Sequence, residues 1–254
     1  MRTLQSMARE TAWRVAARTA LLLFVVAAAL ISSRAHAQPD APLQPFKTSF
    51  SVEWKGINAG TAWLELTQTG PGQYRYVSRN NARGIFRLAF PDEITQTSDF
   101  LLDDGTVKPL RYRADDGSAD KSRDISLDFD WTRGRVQGTA EKKRVDLEAP
   151  AGLQDGMSVQ IALMVDLAAG RSPSMYWMID KSKLKDYEYR SDGTARISTV
   201  LGELDTVIWS SRRPNSDRIT RVWYAPSLGY SPVKAQRIKA GSVEVAMTLR
   251  SLAR

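Results

Sequence analysis

The sequence predicts a mainly β fold: a large curved antiparallel sheet or β-barrel of about a dozen strands, with one long apolar helix packed on or in its concave face. Three observations predict it. From Phe46 onward, apolar residues recur at every second position, the mark of strands with one buried face. Hairpin-sized turns carrying Gly, Pro, Asn or Asp separate these runs. The period changes to that of a helix only once, between Asp155 and Gly170.

Taken in order, Phe46, Phe50, Val52 and Trp54 alternate with polar residues and form the first strand. Gly56 to Gly60 turns the chain, Thr61–Thr69 returns, Gly70-Pro71-Gly72 turns again and Tyr74–Ser78 is the third strand. Asn80–Phe90 reads as a loop with a short helical turn carrying Arg83 and Arg87. Strands follow at Ile94–Leu102, Val107–Arg113 and Asp124–Trp131, the last with Ile125, Leu127, Phe129 and Trp131 on one side. Val136–Leu147 is long and charged and reads as one exposed or edge strand.

Asp155-Gly156-Met157-Ser158 supplies a helix cap, and Gly170 supplies the stop after Ala169. Between them Met157, Ile161, Met164, Val165 and Ala168 make one stripe, which Val159, Leu163 and Leu167 widen. A helix apolar over most of its circumference wants burial on several sides. Strands then resume at Met175–Ile179, Tyr187–Arg190, Ala195–Leu201, Asp205–Ser210, Ile219–Tyr224, Val233–Lys239 and Val243–Leu249.

The N-terminus reads as a cleavable signal peptide over residues 1–37. Arg2, Arg9, Arg14 and Arg18 form its basic region, Thr19–Ser33 its apolar region, and Ala35-His36-Ala37 its cleavage motif, with Gln38 as the new N-terminus. The apolar region is shorter than the ~20 residues of a membrane span, and an uncleaved anchor is the alternative. The arginines are separated, so the general secretory route fits better than the twin-arginine route. No cysteine follows to carry the acyl chains of a lipoprotein. The expected location is the periplasm, with no transmembrane span after cleavage. Residues 38–45 read as a flexible leader and 46–254 as a single domain.

The whole chain of 254 residues has a formal net charge of +8, with 36 Lys+Arg and 28 Asp+Glu. The first 37 residues hold five Arg and one Glu, so 31 basic and 27 acidic residues remain and the charge falls to +4. This removes the main support for a nucleic-acid partner. His36 is the one histidine, and there is no cysteine. The mature chain therefore lacks Ser-His-Asp and Cys-His catalysis, the usual haem ligands, His/Cys zinc sites and disulfides. No cofactor is expected.

Paired carboxylates at Asp128 and Asp130 share one strand face, the minimum equipment of a glycan hydrolase. They oppose the apolar face, so a solvated strand surface accounts for them. Asp103-Asp104-Gly105 and Asp115-Asp116-Gly117 resemble Ca²⁺-loop fragments, lack the further ligands, and read as hairpin turns. The basic clusters Lys142–Arg144, Lys181/Lys183/Lys185 and Arg212-Arg213 suit phosphate groups, although acidic neighbours dilute two of them. Ser118 and Ser122 have no histidine base, and no local arrangement marks a Ser-Lys dyad.

Four stretches carry a family resemblance: SFSVEWKGINAGTAWLEL at 49–66, the Asp-Gly-Met-Ser opening at 155–167, VLGELDTV at 200–207 and RVWYAPSLGYSPV at 221–233. With them the chain resembles the bacterial exported proteins grouped as domain of unknown function 3108. The resemblance implies an envelope protein of mainly β architecture and assigns no active-site residue. The architecture is also similar to that of periplasmic lipoprotein carriers, a fold-level analogy.

Three functional readings follow. The first is a non-enzymatic protein holding a hydrophobic or amphipathic envelope molecule, such as a lipid, in a β-lined cavity. Its lining would include Trp54, Leu64, Phe129, Trp131, Met164 and Trp223, with the helix as plug or lid. The second is a module that binds an envelope protein by strand addition at Val136–Leu147. The third is the carboxylate-dependent glycan hydrolase.

Overall fold

The computed structural model describes residues 43–254. The expected signal peptide, its expected cleavage at Ala37 and Gln38, and residues 38–42 of the expected leader lie outside the described residues. The first strand begins at Phe46, as its alternation predicts.

The described residues form fourteen strands and one α-helix. The strands are β1 (Phe46–Trp54), β2 (Ile57–Gly70), β3 (Gln73–Ala82), β4 (Ile94–Asp103), β5 (Thr106–Asp115), β6 (Ile125–Asp130), β7 (Arg135–Ala140) and β8 (Lys143–Glu148). After the helix α1 (Ser158–Ala168) come β9 (Met175–Asp180), β10 (Lys183–Thr199), β11 (Gly202–Arg212), β12 (Arg218–Ala225), β13 (Ser231–Lys239) and β14 (Ser242–Ala253). All belong to one sheet of order β8-β7-β6-β5-β4-β3-β2-β1-β14-β13-β12-β11-β10-β9. Consecutive strands thus pair, except β8 and β9 at the two ends of the sheet, and β1 meets β14, from Lys47 opposite Ala253 to Trp54 opposite Val245.

The sheet is curled but not closed. Gln160 of α1 accepts a hydrogen bond from the Tyr76 hydroxyl of β3 at 2.5 Å and also hydrogen-bonds Tyr224 of β12. These strands are five places apart in the sheet, which is about 24 Å if the sheet were flat. One glutamine can bridge them only because the sheet wraps around the helix. The two end strands, β8 and β9, do not pair with each other. Beyond β8, the backbone of Gln154 pairs with β9: its N–H donates to the Trp177 carbonyl at 2.8 Å and its carbonyl accepts from the Ile179 N–H at 2.9 Å.

The core lies between the concave face and α1. Phe50, Tyr76, Phe100, Leu127 and Leu249 from the strands form one buried cluster with Ile161, Leu163 and Met164 from the helix. The sequence marks both helix ends. The Asp155 carboxylate accepts from the N–H groups of Met157 at 2.7 Å and Ser158 at 2.8 Å, and Ser158 Oγ accepts from the Asp155 N–H at 2.9 Å. This reciprocal arrangement satisfies donors that a helix start leaves free. At the other end Gly170, at φ 70°, donates to the Leu167 carbonyl at 3.0 Å.

Three expectations need correction. The helix has 11 residues, an ordinary length rather than a long one. Val136–Leu147 is a hairpin, β7 and β8, and only β8 is a sheet edge. Its turn residues Glu141 and Lys142 adopt φ 50° and 64° without a glycine or asparagine to announce it. Tyr187–Arg190 and Ala195–Leu201 belong to one 17-residue strand, β10, which carries a register shift between Ser191 and Thr194. Gly193 sits in that bulge at φ 91°, so its signal is a bulge and not a turn.

On the other face, a polar row crosses six strands in register. Arg75, Asp99, Arg111, Asp128, Gln137 and Asp146 are successive cross-strand partners from β3 to β8. Arg75 meets Asp99 at 2.6 Å, Arg111 meets Asp128 at 3.3 Å, and Gln137 donates to Asp146 at 3.1 Å.

Candidate functional site

The six residues expected to line a cavity do not share one environment. Leu64, Phe129, Met164 and Trp223 are buried in the core cluster, with Met164 on the helix itself. Trp131 is half-buried, stacks on Phe129 with ring centroids 6.3 Å apart, and donates its indole N–H to the Pro109 carbonyl at 2.6 Å. Trp54 departs from the alternation that groups it with Phe50. It is 38% exposed at the end of β1, with its ring edge against Phe86 at 5.9 Å. Side chains of α1 occupy the concave face that these residues would have lined.

Beneath the start of α1 lies a polar cluster. Asp155 is fully buried, and its second oxygen accepts from Ser98 Oγ at 2.6 Å. Desolvation pushes this carboxyl up to about 6, against the pull of the Ser98, Ser158 and Met157 donors. Tyr112 donates to Gln96 at 3.0 Å nearby, and burial raises its hydroxyl. Along the helix, Tyr176 donates to Asp166, which also pairs with Arg171 at 2.8 Å. The sequence marks Asp155 as a cap, but nothing local shows that β4 brings Ser98 to it. The oxygens of Asp155 are engaged by donors that hold the helix start, which is a positioning role.

The carboxylates on the other face are engaged as well. Asp128 accepts from Arg113 at 3.0 Å and Arg111 at 3.3 Å, and Asp130 accepts from the Arg133 N–H at 2.9 Å. Asp115, Asp116 and Asp124 bring carboxylate oxygens within 4.8 Å of one another. Lys121 binds Asp115 and Arg123 binds Asp116, both at 2.7 Å, so cationic side chains already serve two of the three. Asp103-Asp104-Gly105 makes a tight hairpin turn, whereas Asp115–Gly117 opens the longer connection from β5 to β6. In the basic clusters, Lys181 pairs with Glu141 at 2.5 Å, Lys185 with Asp180 at 2.5 Å and Arg212 with Glu188 at 2.7 Å.

Among the described residues, open grooves indent the surface in three places. One of about 340 Å³ lies over the Arg75–Asp99 pair, and one of about 500 Å³ lies among Lys185, Asp186 and Arg213–Asp217. The third, about 560 Å³, sits at the seam of the sheet. The β6–β7 turn at Arg133-Gly134 and the chain leaving β8 at Ala149-Pro150 form one wall, tied by the Ala149 N–H to the Gly134 carbonyl at 2.8 Å. Trp177 of β9 and Leu184 of β10 form the other. Trp177 is 38% exposed there. The Arg133 side chain is 80% exposed, its contact with Asp130 loose at 3.6 Å, while Arg135 is held by Asp146 at 2.5 Å. None of the six residues expected from the sequence lines any of these three grooves.

The sequence profile of DUF3108, proteins of unknown function, matches residues 49–249. The chain belongs to this family. No curated protein matches this DUF3108 chain. Among solved structures it is similar to a β-barrel-like DUF1849 protein from Brucella abortus, at 13% identity and a TM-score of 0.55, covering 83% of this chain and 98% of that one. That likeness concerns the fold alone. Weaker matches include a candidate lipoprotein from Parabacteroides distasonis (10% identity, TM-score 0.35, 83% and 96% coverage). Another is a protein with a YmcC-like fold from Bacteroides fragilis, described as exported (7% identity, TM-score 0.34, 84% and 97% coverage). Among the described residues no helix is long and apolar enough to cross a membrane.

Proposed function

We propose that this DUF3108 protein is a non-enzymatic periplasmic protein that binds a hydrophobic or amphipathic envelope molecule in the seam groove. One observation carries the reading: a groove of about 560 Å³ with Trp177 and Leu184 on one wall and the exposed Arg133 guanidinium at its mouth. The volume falls within the ~300–1,000 Å³ of small-molecule sites, and an apolar wall with few polar groups suits a ligand of that class. Arg133 would meet an anionic headgroup, and Ala149, Pro150 and Trp177 the apolar part. The groove holds one carboxylate, Glu148, so a two-carboxylate hydrolytic mechanism has no partner in it. The signal-like residues 1–37 and the missing lipoprotein cysteine support secretion to the periplasm without a lipid anchor.

Native mass spectrometry of the mature protein, purified gently from its own periplasm, tests this. The expected result is a discrete added mass that organic extraction removes and that is depleted in Trp177→Ala. A clean apo mass, or an adduct indifferent to Trp177→Ala, overturns the groove as the binding site.

A second reading, strand addition by an envelope protein, rests on β8, which has a sheet neighbour on one side only. The same spectra would then show a bound polypeptide in place of a small adduct.

A further inference from the structure

We propose that one end of the sheet docks on an anionic lipid surface. Because the strands alternate in direction, the β1–β2 turn, the β3–β4 loop and the β13–β14 turn all fall at the same end. Exposed apolar side chains gather there: Leu88 is 86% exposed, Ile85 73%, Ile57 58%, Val243 43% and Trp54 38%.

The loop is built to present them. Arg83 N–H donates to the Ala59 carbonyl at 2.9 Å, which ties the loop to β2. Gly84, at φ 58°, then starts a 3₁₀ turn over Gly84–Leu88. In such a turn side chains three apart eclipse, so Ile85 and Leu88 share one face. Phe86 tucks against Trp54, which leaves that face bare.

Charge selects the partner. Lys55, Arg83 and Arg87 in these turns, and Lys239 at the end of β13, form no salt bridge among the described residues. Lys55 sits 4.7 Å over the Trp54 ring. Glu93 and Glu244 are taken by Arg79 at 3.8 Å and Arg237 at 3.2 Å, which leaves Glu53, Asp92 and Asp217 as acids without a salt bridge, the last bonded through its carbonyl to Ala240 and followed by Arg218, which has none either. The excess is cationic and encircles apolar side chains. That combination fits the interface of an anionic bilayer, where apolar groups insert and guanidinium groups meet phosphates.

The opposite end provides a control. Val200 and Leu201, at the β10–β11 turn, are 56% and 44% exposed. Their neighbour Arg196 is held by both oxygens of Asp205, at 2.8 and 2.9 Å. Apolar exposure without free cations should not bind lipid.

Cosedimentation with vesicles of phosphatidylglycerol and phosphatidylethanolamine, against phosphatidylcholine vesicles, tests the proposal on the mature protein. Binding to the anionic vesicles is expected, falling about tenfold or more in Ile85→Ser/Leu88→Ser. Arg83→Gln/Arg87→Gln should weaken binding and flatten its salt dependence. Val200→Ser/Leu201→Ser and Trp177→Ala should bind as the wild type does, which separates this surface from both the other tip and the seam groove. Absent or equal binding to the two vesicle types, or an Ile85→Ser/Leu88→Ser variant that binds normally, overturns it. So does a dimer in sedimentation velocity that the same double variant dissolves, since the occupant would then be a second copy.

Discussion

The polar cluster under α1 and the polar row on the other face of β3–β8 use the same residue types to opposite effect. Asp155 is wholly buried, and desolvation raises its carboxyl to about 6 although Ser98, Ser158 and Met157 all donate to it. Asp146, at the end of the outer row, moves the other way, lowered by Arg135 and Gln137. Under the helix each group has one set of partners and no water to replace them, so geometry is fixed and loss is costly. On the outer face solvent substitutes for any lost partner, and the row contributes register more than stability.

The largest effect that would break this contrast belongs to Asp155→Ala. It leaves the Ser98 hydroxyl and the N–H groups of Met157 and Ser158 without an acceptor, and a loss of about 3 kcal/mol in urea unfolding is expected. A loss no greater than that of a surface substitution would mean that water reaches the cap.

An intermediate effect concerns pH. Asp155 rises from an ordinary 3.8 to about 6 on folding, so in that window the folded protein keeps a proton that the unfolded chain releases. Its stabilising contribution is complete below about pH 4 and is lost as pH rises through about 6. Urea midpoints of the wild type and Asp155→Asn, compared across this window, should show the wild-type advantage shrinking as pH rises. A growing advantage would mean that hydrogen bonding outweighs burial and the carboxyl is lowered. The smallest effect is expected for Asp128→Ala in the outer row, under about 1 kcal/mol by the same denaturation. A larger loss would show the row to act as a cooperative network.

Much of this architecture is written locally. The alternation of Leu127 and Phe129 with Asp128 correctly separates the buried face of β6 from the solvent face. The Asp155–Ser158 cap is legible because its donors and acceptors lie within three residues. The β7–β8 turn is not legible, since Glu141 and Lys142 take positive φ with no residue that favours it. Trp54 has the parity of the core, but its place at the strand's end, beside a loop 30 residues away, decides its exposure. The seam groove is the least legible part. It brings Gly134 and Pro150 to Trp177 and Leu184 only through the curl of the whole sheet, which no short window of sequence contains.

The pairing of β1 with β14 has a consequence for the order in which the molecule can be completed. A chain emerging from its N-terminal side can zip β1 through β8, each hairpin onto the last, with only short loops to close. The free flank of β1 stays bare throughout, because its partner lies at residues 242–253. The middle of the finished sheet is therefore the last joint to be made, and until it is made the nascent meander has an open interior edge. Until residues 242–253 are made, the two halves of the sheet have no joint between them and the final curl cannot lock.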